Sequence, residues 1–142
     1  MLAMSAARPR ITFRSIKRPN AKAVGQAVPT NSRWGDVYSV PQELGIADGM
    51  AINEQDRLWV AFFGGWCVLC IDPVEGEVVS KIELSVANVT ACSFGGKDMD
   101  ELHITTAKLG LDEKQTSTQP LAGDLFVARP GVCRPNWPSF PG

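Results

Sequence analysis

Four cysteines, one histidine and a scatter of carboxylates are the side chains of this sequence best suited to chemistry. Cys67-Val68-Leu69-Cys70 spells C-x-x-C, a spacing that elsewhere makes a redox pair or half of a zinc site. A redox or zinc role for Cys67 and Cys70 is therefore one reading. Here the motif lies inside Trp66–Ile71, an apolar, β-rich run. Residues three apart in a strand point to opposite faces, so the two sulfurs diverge. No second C-x-x-C follows, Cys92 and Cys133 stand apart, and His103 is the only histidine. The thiols thus read as small apolar core groups, and reduced cysteines suggest an intracellular compartment. His103 reads as a histidine packed in a core strand. Asp98, Asp100 and Glu101 form an acidic turn before a strand, and Asp112, Glu113 and Lys114 read as solvated surface. Asp48-Gly49, taken alone, is turn chemistry.

The elements that must position these groups are strands. They are expected at about 36–40, 50–53, 57–63, 66–72, 77–84, 90–94, 101–106 and 124–128. Asn53–Asp56, Gly64-Gly65 and Asp72-Pro73 through Gly76 supply the turns between them. No segment offers an amphipathic helix longer than two turns, so the chain is all-β. Leu58–Phe63 and Val68–Ile71 are continuously apolar and do not alternate. Alternation marks a sheet wet on one face, and a continuous run marks a strand covered on both. Small antiparallel sheets stacked around an axis, as in a β-propeller, provide such cover. Leu58-Trp59-Val60-Ala61 recurs loosely as Leu102-His103-Ile104-Thr105, 44 residues on, close to a propeller blade period. Lys108 to Ala122, rich in Gln, Thr and Ser, is an insertion read as a surface loop. Two blades do not close a ring. The expected architecture is therefore an incomplete propeller, whose open sheet faces need missing blades or self-association to cover them.

Composition sets the outer bounds. The chain has 142 residues, 44% hydrophobic and 20% charged, and a net charge of −1. No run approaches the roughly 20 apolar residues of a membrane span, so no membrane partner is expected. Residues 1–34 hold seven basic residues and no acid, leaving seven basic and fifteen acidic groups, a net of −8, in the remainder. Such asymmetry marks a tail joined to a differently built domain. The arm lacks the apolar core of a secretory signal. It reads first as a disordered basic segment or an artefactual start of the reading frame. A mitochondrial transit peptide is the second reading, weakened by Pro9 and Pro19. With Phe13 its only aromatic before Trp34, the arm has too little stacking surface for nucleic acid. The expected divisions are residues 1–34 as the arm, 35–130 as the blades and 131–142 as a Pro-rich tail. The expected location is cytoplasmic.

Ala47-Asp48-Gly49-Met50-Ala51-Ile52, Leu58-Trp59-Val60-Ala61, Gly64-Gly65, Asp72-Pro73…Gly76, Phe94-Gly95-Gly96, Leu102…Thr105-Thr106-Ala107 and Ala122-Gly123-Asp124-Leu125-Phe126 follow one another in an order that resembles a known family. It is that of regucalcin, senescence-marker protein and gluconolactonase, and the likeness is to its C-terminal third. The match runs from about residue 36 to 130, with no counterpart found for residues 1–34. The resemblance implies two blades of a six-bladed propeller with a divalent metal, calcium or zinc, in its channel. It implies hydrolysis of sugar lactones once the ring is complete, with a small-molecule sugar lactone as the partner. One site position carries over: Asp48, in the family's Asp-Gly-Met motif, as metal ligand and as the catalytic proton acceptor. The remaining ligands belong to blades with no counterpart here, and Asn31, Asn53 and Asn88 lie outside the right motifs. A lone carboxylate does not hold Ca²⁺, which takes about six to eight oxygens, or Zn²⁺, which takes about four ligands. The 142-residue chain alone is therefore expected to be inactive. The alternative is a non-catalytic truncated relative or a calcium-binding regulatory protein. Against the family pattern, His103 stands where an aromatic such as Tyr is usual, and Asp56 where a turn Gly is usual.

Overall fold

The computed structural model describes residues 10–14 and 34–136. The remainder of the arm, Asn31, Trp137 and the rest of the Pro-rich tail lie outside the described residues. Strands form where apolar and β-branched residues run between Gly, Pro, Asn and Asp. They are β1 (Arg10–Arg14), β2 (Trp34–Ser39), β3 (Ile46–Ile52), β4 (Leu58–Phe63), β5 (Cys67–Asp72), β6 (Glu77–Glu83), β7 (Val89–Gly95), β8 (Glu101–Thr106) and β9 (Leu125–Ala128). A 3₁₀ turn at Gln42–Leu44 and a short helix α1 (Glu113–Thr118) complete the described elements. Antiparallel pairing gives a two-stranded sheet β1-β2, a four-stranded sheet β3-β4-β5-β6 and a three-stranded sheet β7-β8-β9.

The strands fall close to where they were expected, with four corrections, the first being that β3 begins at Ile46 rather than near residue 50. Within the arm expected to be irregular, Arg10–Arg14 pairs with β2; its Arg-Ile-Thr-Phe-Arg alternation is a strand signal that the charge count hid. Trp66, expected in a strand, instead sits in the turn between β4 and β5 with φ 61° and is exposed. The insertion at 108–122 is fastened rather than loose. Buried Gln119 accepts the Ala87 N–H at 2.7 Å, and Asn88 Nδ2 donates to the Leu109 carbonyl at 2.8 Å. Asp112 caps α1 reciprocally with Gln115, satisfying helix-end donors in place of water.

Turn chemistry works as the residue types require. Asn53 Oδ1 accepts the N–H groups of Gln55 and Arg57, and Asp56 takes the left-handed φ of 59° that Asp tolerates. Asp72 Oδ1 does the same for Val74 and Glu75. These bonds, first to Val74, hold the Asp72 carboxyl below the usual carboxylate range.

The continuous apolar runs are covered on both faces. Cross-strand register sets Trp59 beside Cys70 and Ala61 beside Val68. These four pack with Val89, Cys92, Phe94, Leu102 and Ile104 between the two larger sheets. The alternate residues Leu58, Val60, Phe62, Cys67, Leu69 and Ile71 pack on the other side with Val40 and, partly, Val37 and Tyr38 of β2. A sheet sandwiched this way has no wet face along β4 and β5, which is why those strands do not alternate. The repeat is structural too, at an offset one residue shorter than the sequence suggested: β3 and β7 begin at residues 46 and 89, and β4 and β8 at 58 and 101.

Candidate functional site

β3 and β7 each occupy an edge of their sheet, and they pack against each other. The ladder between β3 and β4 runs from Ala47 opposite Phe62 to Met50 opposite Val60, so Asp48 and Gly49 share one partner position. This is a β-bulge, a device that re-aims a side chain out of the regular alternation. The Asp-Gly pair is therefore a bulge inside a strand and not a turn at its start. Asp48 is exposed. Gly49 lies where β3 meets β7: a Cβ there would stand 2.6 Å from Ala91 Cβ and 2.9 Å from the Thr90 carbonyl oxygen. Any larger side chain would push the sheets apart and move the bulge.

The described residues contain no group of three or more His, Cys, Asp or Glu able to hold a metal ion. Asp48 offers one oxygen-bearing group, not a coordination sphere, so the residues present do not by themselves fit a calcium or zinc ion. Asn53 and Asn88 are buried and committed to the turn and loop contacts given above.

The cysteines separate as strand geometry requires. Cys67 belongs to the cluster on the β2 side and Cys70 to the cluster between the larger sheets. All four cysteines are free. Burial pushes up the thiols of Cys67 and Cys70, and pushes Cys92 up to about 12. Cys92 Sγ donates to the Trp59 carbonyl at 3.1 Å. Thiols held protonated are poor nucleophiles and poor metal ligands. Between about pH 9 and pH 12 the unfolded chain loses the Cys92 proton while the folded chain keeps it. Stability is therefore intact below pH 9 and falls as pH rises through that window. Urea midpoints at pH 8, 9 and 10 should decline, and the slope should flatten in Cys92→Ala. A thiol reagent at pH 8 should leave Cys67, Cys70 and Cys92 unlabelled until the chain unfolds.

His103 departs from its expected place in the core. It lies half-buried on β8, alternating with the core residues Leu102 and Ile104, and it packs over Gly95. Its Nε2 is 3.5 Å from Glu101 Oε2 and makes no hydrogen bond. Glu101, expected as a solvated acid, is paired at 2.6 Å with Arg129, which together with His103 holds its carboxyl below the usual range. This cluster is remote in sequence from Asp48, and register pairs His103 with Ser93 and Val127 on neighbouring strands. Arg129 was invisible from sequence because its partner is 28 residues away.

Comparison with known proteins adds the family context. Residues 23–108 match the model of the SMP-30/Gluconolactonase/LRE-like region. The match thus starts within the basic arm, earlier than the residue 36 expected, and ends at 108. Regucalcin of Danio rerio is 43% identical over 90 residues, covering 63% of this chain and 30% of that protein. YvrE of Bacillus subtilis (strain 168), named provisionally as a sugar lactone lactonase, is 44% identical over 93 residues, covering 66% of this chain and 32% of its own. Among solved structures, a luciferin-regenerating enzyme superposes with a TM-score of 0.63 at 29% identity, covering 72% of this chain and 35% of its own. A calcium-binding regucalcin of Agrobacterium tumefaciens superposes at 0.67 with 20% identity, covering 75% and 36%, and shows the fold alone. Both solved relatives are β-propellers. The chain spans about a third of the length of the curated relatives it matches.

Proposed function

This chain belongs to the SMP-30/gluconolactonase/LRE-like family, and from that premise we propose that it forms adjacent blades of a six-bladed propeller that hydrolyses sugar lactones. The observation that carries the reading is the exposed Asp48 carboxylate on a bulge of an edge strand, within the stretch matched by the family. A carboxylate so placed can accept the proton of a water attacking a lactone carbonyl. The bulge aims it, and Gly49 lets β7 close up behind it. Asp48 would also give one oxygen to a divalent ion, calcium or zinc, whose chemistry when bound is to polarise the carbonyl or acidify water. The other ligands and the substrate contacts would come from further blades. The same blades, or a second copy, would cover the exposed Leu125 and Val127 of β9.

A non-catalytic relative or calcium-binding regulator is the second reading, favoured by the lack, among the described residues, of any group of three or more His, Cys, Asp or Glu that could hold a metal ion. Regucalcin is named among the relatives, and the solved bacterial one is titled a calcium-binding protein. A cytoplasmic location accords with four free cysteines. No described helix is long and apolar enough to cross a membrane.

The test is an assay of the native protein isolated from its source, with its intact mass recorded. Hydrolysis of glucono-1,5-lactone above the buffer rate, lost to a chelator and restored by Ca²⁺ or Zn²⁺, is the expected result. A mass near 15.3 kDa with no turnover at any metal concentration would overturn it in favour of the second reading.

A further inference from the structure

The two edge strands that pack together, β3 and β7, carry the same irregularity. On β3 it is the bulge at Asp48-Gly49. On β7, Val89 stands opposite Thr106 and Ala91 opposite Thr105, so Thr90 is an extra residue with no partner on β8. This is a second bulge, and a bulge takes its side chain out of the regular alternation. The two bulges meet. A Cβ on Gly49 would stand 2.6 Å from Ala91 Cβ and 2.9 Å from the Thr90 carbonyl oxygen. Further along, Met50, Ala51 and Ile52 share one groove with Ser93 and Phe94. The strands therefore advance side by side in the same direction from the Gly49–Ala91 contact. One residue before that contact stand Asp48 on β3 and Thr90 on β7.

The Thr90 hydroxyl is held in place. Its Oγ1 lies 2.8 Å from Thr105 Oγ1 on β8. Thr105 Oγ1 also donates toward the Ala91 carbonyl oxygen at 3.5 Å. With the Thr105 proton turned to that carbonyl, Thr90 supplies the proton of the bond the two hydroxyls share. A hydroxyl that donates once still has two acceptor lone pairs. Thr90 is half-buried and Thr105 exposed, so those lone pairs are not sealed in the core. β7 thus sets an oriented hydroxyl acceptor beside the strand position of the Asp48 carboxylate.

We propose that Thr90 contacts the substrate: its oxygen accepts a hydrogen bond from a ring hydroxyl of the lactone whose carbonyl is presented to Asp48. Thr105 is the positioning residue that orients it. The inference rests on the lactone reading, and within it assigns the preference for a hydroxylated lactone over a bare one. A site built to bond a hydroxyl rejects the analogue lacking it, because its own polar group is then left unpaired.

The test uses variants of the native protein with glucono-1,5-lactone, which carries ring hydroxyls, and δ-valerolactone, which carries none. Thr90→Val keeps the branched shape and removes the hydroxyl. It should lower kcat/KM for glucono-1,5-lactone about tenfold or more, the worth of one lost hydrogen bond to substrate. Turnover of δ-valerolactone should stay at the parental rate, whereas Asp48→Asn lowers both. Thr90→Ser retains the oxygen and should keep kcat/KM for glucono-1,5-lactone close to the parental value. Thr105→Val breaks the same bond between the strands but spares the Thr90 oxygen, so its loss should be smaller than that of Thr90→Val. A parental kcat/KM in Thr90→Val would overturn the proposal while leaving the lactone reading intact. Equal losses in Thr90→Val and Thr105→Val, or equal proportional losses for the two lactones, would make the pair a structural tie and overturn it too. A parent protein inactive on glucono-1,5-lactone would remove the lactone reading itself, and this inference with it.

Discussion

If the proposed activity is right, an Asp48→Asn variant of the native protein is expected to lose lactone hydrolysis by about a hundredfold or more, the usual worth of a positioned proton acceptor. The substitution keeps the shape of the side chain and one oxygen, but removes the charge and the basicity. Asp48 is exposed on a bulge, and no hydrogen bond or ion pair of its side chain contributes to the described fold. The unfolding free energy from urea titration should therefore remain within about 0.5 kcal/mol of the parent. Stopped assays of glucono-1,5-lactone opening against an Asp98→Asn control separate the two effects, since Asp98 is also exposed but lies in the β7–β8 turn. A parental rate in Asp48→Asn would remove the assigned role. A fallen rate together with a fallen midpoint would indicate a structural role for the bulge carboxylate instead.

Phe62→Ala is the substitution with the largest expected cost in stability. Phe62 is fully buried on β4, packed among Val40, Leu58, Val60, Cys67, Leu69 and Ile71. Truncating a buried Phe removes its transfer free energy and leaves a cavity, together about 3–5 kcal/mol. Domains of this size are stable by about 5–15 kcal/mol, so the variant should be largely unfolded by moderate urea. The site is stiff because β4 is covered on both faces: neighbours on one side cannot collapse inward without disturbing Trp59 and Ala61 on the other. Val74→Ala, at an 85% exposed turn position, should change the unfolding free energy by less than about 0.5 kcal/mol. A loss of under about 1 kcal/mol for Phe62→Ala would show that β4 is not held between two packed layers.

The continuous apolar character of Leu58–Phe63 and Val68–Ile71 was legible as double-sided burial because strand side chains alternate strictly. The divergence of Cys67 and Cys70 onto opposite faces followed from the same rule. Turn positions were equally legible, since Asn53, Asp56, Asp72 and Gly76 act on backbone groups within a few residues. Trp66 was misread because nothing local marks a tryptophan for a left-handed turn. Its conformation accompanies backbone bonds to Ala87 and Leu84, made by residues well along the chain.

The sequence by itself determined the all-β class, the two-faced core strands and most of the turn chemistry. All of these depend on alternation and on contacts between near neighbours. Only the tertiary structure decided that Asp48-Gly49 is a bulge against β7, that His103 lies off the core, and that Glu101 meets Arg129. Each of those depends on which strands pack face to face and on partners tens of residues apart. Side-chain periodicity carries no information about that choice, because the same apolar face can be satisfied by more than one neighbouring sheet.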